Sequence, residues 1–199
     1  MDSKALFKLG YGLYALTTAN GDKDNVCIVN SVMQVTGDPL RLVVGVNKSN
    51  YSHELIVNSG KFNICTLTED APFGLFQDFG FRSGRDTDKW TGYVEKRSAN
   101  GLRYLESYAN AYLSCEVEKT VDMGTHSLFT VSVSDAEVLS DAESLTYAYY
   151  QKNIKPRPEA AEKPRWVCRI CGYVHEGENL PEDFICPWCK HTAADFERK

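Results

Sequence analysis

The stretch Trp166-Val167-Cys168-Arg169-Ile170-Cys171-Gly172-Tyr173, followed by Cys186-Pro187-Trp188-Cys189, contains two C-x-x-C pairs separated by 14 residues. Each pair makes a tight knuckle that presents two thiolates, and the intervening chain can return as a hairpin, so the four sulfurs converge on one metal. Tetrahedral S4 ligation suits zinc or iron, and spacing alone does not choose between them. A structural zinc ribbon, which staples a fold without redox chemistry, is the plainest alternative to an electron-transfer centre.

Upstream of these cysteines the composition changes abruptly. Residues 151–164 (QKNIKPRPEAAEKP) carry three of the seven prolines, several charges and one large aliphatic residue, Ile154. Proline fixes φ and removes a backbone donor, so this segment is predicted to be a semi-rigid linker. It divides the chain into a domain at residues 1–150 and a module at residues 165–199.

The larger domain is predicted to be mainly β. Residues 13–18, 26–35, 40–46, 61–67, 111–121 and 127–139 are rich in β-branched and aromatic side chains and are punctuated by turns, with Asn20-Gly21 a hairpin signal between the first two. Short helices are expected at residues 3–9, 52–58, 72–79 and 143–150, each opened by a cap-like residue, an acid or a proline. About six strands at this spacing predict an antiparallel barrel. No G-x-G-x-x-G follows a strand, so no Rossmann half is expected to hold a dinucleotide.

Charge and hydropathy narrow the function classes. The 199 residues are 25% charged and 43% hydrophobic, with a formal net charge of −5. That balance belongs to a globular protein with a real core, and its sign gives no reason to expect nucleic acid or an anionic membrane as partner. No run approaches a membrane span, no secretory signal opens the chain, and the three remaining cysteines, Cys27, Cys65 and Cys115, are scattered and odd in number. A reducing, cytoplasmic setting is expected.

The signature C-x-x-C-G-Y with C-P-x-C, the aromatic residues Trp166, Tyr173, Trp188 and Phe196, and the segments Pro181-Glu182-Asp183-Phe184 and Asp195-Phe196-Glu197 resemble rubredoxin over essentially all of residues 165–199. The resemblance implies a mononuclear iron centre held by Cys168, Cys171, Cys186 and Cys189 and cycling between ferric and ferrous states. Lys190 stands where rubredoxins often carry glycine. If that position needs φ > 0, a lysine there costs on the order of 1 kcal/mol. The spacer is also shorter than in free-standing rubredoxins and closer to the compact version at the end of rubrerythrins.

The larger domain resembles the flavin reductase-like FMN-binding split barrels, including flavoredoxin-like members and the fusions grouped as high-molecular-weight rubredoxins. The residues that carry this are Val26–Val35, Asp38-Pro39-Leu40, Val46–Ser52, Ser83–Trp90 and Gly124-Thr125-His126. The resemblance implies FMN bound at or near the interface of a homodimer, NAD(P)H as donor, and a redox-protein acceptor such as a flavodiiron protein reducing O2 or NO.

The site residues divide by segment. Asn47, Lys48, Ser49, Tyr51 and Ser52 precede or open a predicted helix, whose free N–H groups suit a phosphate; ordinary capping explains them equally well. Asn30 and Ser31 interrupt an apolar strand and, by the resemblance, run beside the flavin ring; otherwise they face solvent. Ser83 and Lys89 lie in a charged loop, and the resemblance makes Lys89 a cation near the flavin. Cys27 is included beside Asn30, although a small buried side chain is its simpler reading. His126 is expected to position the flavin and nicotinamide, since hydride transfer needs geometry more than a proton donor. Two rival readings are a flavin reductase with a zinc staple, and a ligand- or protein-binding barrel with no redox role.

Overall fold

The computed structural model describes Asp2, Ala5 and residues 8–156 and 164–199. Contacts divide the chain into two compact units that meet between Lys155 and Pro156. The expected helix at residues 3–9 lies largely outside the described residues.

The first unit opens with β1 (Tyr14–Asn20) and β2 (Lys23–Val29), a hairpin in which Asn20 pairs with Lys23. Its two-residue loop is therefore Gly21-Asp22, one position later than Asn20-Gly21, and Gly21 takes φ 60°, the left-handed backbone that glycine adopts without a Cβ penalty. Next come β3 (Val32–Gly37), β4 (Leu40–Asn47), α1 (Tyr51–Ser59) and β5 (Lys61–Leu67). A covering segment holds α2 (Phe73–Phe76), a π-helical turn (Gln77–Phe81) and the small hairpin β6 (Glu95–Arg97) and β7 (Arg103–Leu105). The long hairpin β8 (Ala109–Asp122) and β9 (His126–Val138) leads to α3 (Tyr147–Tyr149) and a second π-helical turn (Tyr150–Ile154).

Seven strands form one antiparallel sheet in the order β2-β1-β5-β8-β9-β4-β3. The two edge strands, β2 and β3, follow one another in sequence with only Asn30 and Ser31 between them. Two residues span less than about 10 Å, so the edges must lie close and the sheet curls into a barrel with an open seam. Residues 26–35 are thus two strands on either side of a seam, and the expected single strand is corrected. The polar pair Asn30-Ser31 makes the crossing.

Side chains on β1, β2 and β5 are buried on both faces, which explains why these strands read as continuous apolar runs. One face feeds an interior cluster with Leu16, Val44, Phe62, Ile64 and Phe129. The other feeds a second cluster with Ala15, Val26, Leu67, Phe76, Phe79 and Trp90, beneath the covering segment. Fully burying a side chain such as Phe62 or Phe129 contributes roughly 1.5–3 kcal/mol, so the two layers hold the barrel from both sides.

Two helix boundaries and the linker differ from expectation. The helix expected at residues 72–79 is α2 followed by a π-helical turn, and that expected at residues 143–150 begins at Tyr147, where the Thr146 hydroxyl accepts from the Tyr149 N–H at 3.1 Å. It continues to Ile154, which packs against the outer cluster, so the first four residues of the expected linker are helical. An apolar contact outweighed the charged composition of that segment.

The second unit is a three-stranded sheet in the order β11-β10-β12, with β10 (Arg165–Cys168), β11 (Val174–Glu176) and β12 (Phe196–Arg198). Its core is the cysteines themselves together with Trp166, Tyr173, Phe184, Trp188 and Phe196.

Candidate functional site

The metal-binding knuckles are two copies of one hydrogen-bonded turn. Gly172 N–H donates to Cys168 O at 2.8 Å and Lys190 N–H donates to Cys186 O at 3.0 Å; Cys168 N–H and Cys186 N–H donate to Tyr173 O and His191 O, each at 2.8 Å. Each turn ends in the left-handed region, with φ 76° at Gly172 and 63° at Lys190. Lys190 therefore occupies the strained backbone that the sequence analysis made conditional.

All four thiol sulfurs lie within 4.8 Å of one another. Cys168 and Cys189 sulfurs are 3.6 Å apart and those of Cys171 and Cys186 are 3.4 Å apart. A metal about 2.3 Å from four tetrahedral sulfurs requires S···S separations of about 3.8 Å, so the donor set fits such an ion. The thiols also compete for protons. The bond from Cys171 draws the Cys189 thiol down to about 4, helped by the His191 N–H, while Cys171 is pushed up by the same bond and by burial. A cation among them resolves the competition by holding all four as thiolates. Tyr173 packs edge-on to Trp188 at 5.3 Å, and Phe184 packs edge-on to Phe196 at 5.3 Å.

In the barrel, β4 and β9 bring two expected segments together. Asn47 pairs with His126 in register, and Lys48 N–H donates to Thr125 O at 3.0 Å. Asn30 and Ser31 approach the same strand, because Ser31 O accepts from Gly45 N–H at 2.8 Å, and the Ser31 hydroxyl donates to Asn30 Oδ1 at 3.2 Å. At the start of α1, Ser49 N–H is capped by Asn47 Oδ1 at 2.9 Å and Asn50 makes no side-chain cap. The His53 N–H donates to Asn50 O at 3.0 Å, so the helix opens on the N–H groups of Tyr51 and Ser52. His126 is exposed, with Nδ1 2.9 Å from Thr125 Oγ1.

The structure places four further expected site residues, two of them with side chains turned into the fold. Lys89 is only 7% exposed, and its ammonium donates to Val26 O and Phe79 O, each at 2.9 Å. It pins the covering segment to β2 instead of reaching outward, and burial lowers its pKa. Ser52 is fully buried, and its hydroxyl accepts from Asn25 Nδ2 at 2.8 Å, so it points into the fold. Cys27 is likewise buried, and burial raises its thiol, which accords with its simpler reading as a small buried side chain. Lys48 Nζ is held by Asp122 at 2.6 Å.

The loop carrying Ser83 reaches the same region by other residues. Ser83 Oγ accepts from Arg85 N–H at 3.2 Å, and Arg85 pairs with Glu54 of α1 while its guanidinium lies 4.5 Å from the Tyr51 ring centre. Lys23 Nζ lies 5.2 Å from the same ring. The sequence reading missed Lys23 and Arg85. The hairpin signal and the charged loop marked both segments, but only the fold brings them to Tyr51.

The fold and the two sites define a protein class: an antiparallel split barrel of the flavin-binding type joined to a four-thiolate metal module. The chain belongs to the flavin reductase-like family, whose domain model matches residues 6–157, and the rubrerythrin, rubredoxin-like domain matches residues 166–197. Over the whole of both chains it is 38% identical to the high molecular weight rubredoxin of Moorella thermoacetica. Over 75% of this chain and 89% of the relative it is 37% identical to a ferric-chelate reductase (NAD(P)H) of Archaeoglobus fulgidus. Among solved structures, the styrene monooxygenase flavin reductase of Pseudomonas putida S12 superposes with a TM-score of 0.57 at 29% identity, covering 67% of this chain and 85% of that one. The chain is an oxidoreductase-family protein with a flavin-binding fold and a metal-binding tail, and no helix among its described residues is long and apolar enough to cross a membrane.

Proposed function

We propose that this protein takes electrons from NAD(P)H through FMN on the barrel to an Fe(Cys)4 centre in the tail, and delivers them to a redox-protein acceptor such as a flavodiiron protein. The observation that carries the reading is the four-thiol cluster on the same chain as the flavin reductase-like barrel. The names of the Moorella and Archaeoglobus relatives, a rubredoxin and an NAD(P)H ferric-chelate reductase, support iron and a nicotinamide donor respectively. When bound, FMN supplies hydride acceptance and release of electrons singly, and iron supplies a one-electron carrier.

The chain's own residues do the rest. Asn30 and Ser31 at the seam offer hydrogen bonds to a ring edge, Asn47, Ser49 and the N–H groups that open α1 face a phosphate, and His126 orients what docks above them. Cys168, Cys171, Cys186 and Cys189 hold the metal, and Tyr173, Trp188, Phe184 and Phe196 limit water around it. A second copy of the chain completes the site in this reading. Among β3 residues only Val32 is half-buried, and Met33 and Val35 are 60% and 45% exposed, an uncovered apolar edge of the kind that proteins cover by association.

The test is the anaerobic visible spectrum of the purified chain before and after NADH. Superposed flavin and ferric bands that both bleach are expected. A flavin band alone, with zinc found by metal analysis, replaces this reading with a flavin reductase carrying a zinc staple; a colourless chain that takes up no FMN overturns it.

A further inference from the structure

Tyr104 on β7 and Tyr112 on β8 are stacked in the outer cluster, their ring centres 4.1 Å apart and their planes 21° from parallel. They are 6% and 5% exposed, and the proposed function gives neither a role. By contrast, Phe79 and Tyr93 in the same layer meet at 48°. Two phenol faces therefore overlap inside the fold, where water does not reach the rings.

The strands aim the Tyr112 hydroxyl at a proton acceptor. Ser114 pairs with Asp135 across β8 and β9, and Tyr112, two residues earlier on the same face of β8, is the diagonal neighbour of that carboxylate. Its Oη donates to Asp135 Oδ2 at 2.9 Å, within the reach that proton transfer needs. Asp135 makes no ion pair among the described residues, so no cation competes for the carboxylate. Tyr93 is the counter-example: its Oη donates to Asp78 at 2.8 Å, but Arg82 also holds that carboxylate at 2.9 Å, and the ring beside it is Phe79. Burial first, and the Asp135 bond second, push the Tyr112 hydroxyl up to about 12. A phenol kept neutral in this way gives up an electron readily only when its proton leaves with it, and here the acceptor is already in place.

We infer that Tyr112 is a redox-active tyrosine that gives an electron to one-electron oxidants derived from dioxygen and its proton to Asp135. The phenolic O–H bond breaks, an O–H bond forms on Asp135 Oδ2, the oxidant is reduced by one electron, and a neutral phenoxyl radical remains on Tyr112. The negative face of the Tyr104 ring stabilises its neighbour as that ring becomes electron-poor. A one-electron reductant and the proton on Asp135 then restore the phenol, whereas an oxidised methionine or thiol needs separate repair or is lost. The inference stands apart from the proposed function, since it needs neither flavin nor nicotinamide.

The experiment generates tris-bipyridyl ruthenium(III) by a light flash, with a cobalt(III) complex as electron acceptor, in a solution of the full chain. Tyrosyl radical is read by transient absorption and by electron paramagnetic resonance of frozen samples. The chain has 11 tyrosines, so variants locate the radical. Tyr112→Phe, which keeps the ring and its stacking, should remove most of the long-lived signal, and Tyr93→Phe should remove little of it. Asp135→Asn keeps an acceptor for the phenol but no base, so the radical should form more slowly. A long-lived signal unchanged in Tyr112→Phe, or lost equally in Tyr93→Phe, overturns the inference. Formation at an unchanged rate in Asp135→Asn also overturns it, and that rate decides alone if Tyr112→Phe does not fold.

Discussion

His53 Nε2 and Ser127 Oγ lie 2.8 Å apart, a hydrogen bond that ties the third residue of α1 to the second residue of β9. The imidazole also packs against Phe129, with ring centres 5.7 Å apart. The helix that opens at the candidate phosphate segment is thereby fixed to the strand that opens at His126.

That bond predicts an acid-sensitive fold. Burial first, and the charge of Lys48 second, lower the His53 pKa below its ordinary value of 6.5, so folding favours the neutral ring. The contribution is fully present above pH 6.5 and is lost as pH falls through the lower folded value, because the unfolded chain then binds the extra proton. Urea midpoints measured from pH 8 to pH 5 should fall on acidification, and more shallowly in His53→Gln, which keeps a bond to Ser127 without the titration. Equal slopes in both proteins would remove His53 from the effect.

Lys89→Met keeps the aliphatic stem and removes the donor to two buried carbonyls, Val26 O and Phe79 O. With each orphaned acceptor costing roughly 1–3 kcal/mol, stability should drop by about 2–4 kcal/mol in denaturant unfolding. FMN and riboflavin affinities should change in parallel. Selective loss of FMN would mean that Lys89 meets the phosphate after all.

Lys190→Gly relieves a side chain held at φ 63°. The metal module should gain about 1 kcal/mol, read as a higher denaturant midpoint for loss of the metal-thiolate absorption. An unchanged midpoint would show that the left-handed turn carries no strain at lysine.

The seven thiols should react in two groups. Cys65 and Cys115 are fully buried, and burial raises both thiols to about 12. With Cys27 also buried, a thiol reagent should label none of the three in the folded chain. Stripping the metal should release four reactive thiols, and denaturation seven. Cys186→Ser should abolish stoichiometric metal while leaving flavin binding intact, since that ligand belongs to the second unit. Loss of flavin binding in the same variant would contradict independent modules.

Local signals were readable wherever chemistry depends on short spacing. The C-x-x-C pairs fixed the metal ligands because a knuckle needs only four consecutive residues and a left-handed exit, at Gly172 and Lys190. Strand and turn patterns located β1, β4, β5, β8 and β9 within a residue or two, since pleat alternation and β-branched side chains are properties of the chain itself. The split of residues 26–35 was not readable. Nothing in Val29-Asn30-Ser31-Val32 states that its two halves form opposite edges of one sheet; that follows from β2 pairing with β1 and β3 with β4.

The same division holds for the sites. Sequence by itself determined the metal ligand set, the mainly β barrel and the segments 47–52 and 83–90 as candidate binding loops. Only tertiary structure decided which side chains of those loops face outward. Lys89 and Ser52 turn inward because buried carbonyls and the Asn25 amide need partners, whereas Arg85 and Lys23, distant in sequence, converge on Tyr51. A side chain's direction depends on the hydrogen bonds and space that other strands leave it, and those are set by contacts far away along the chain.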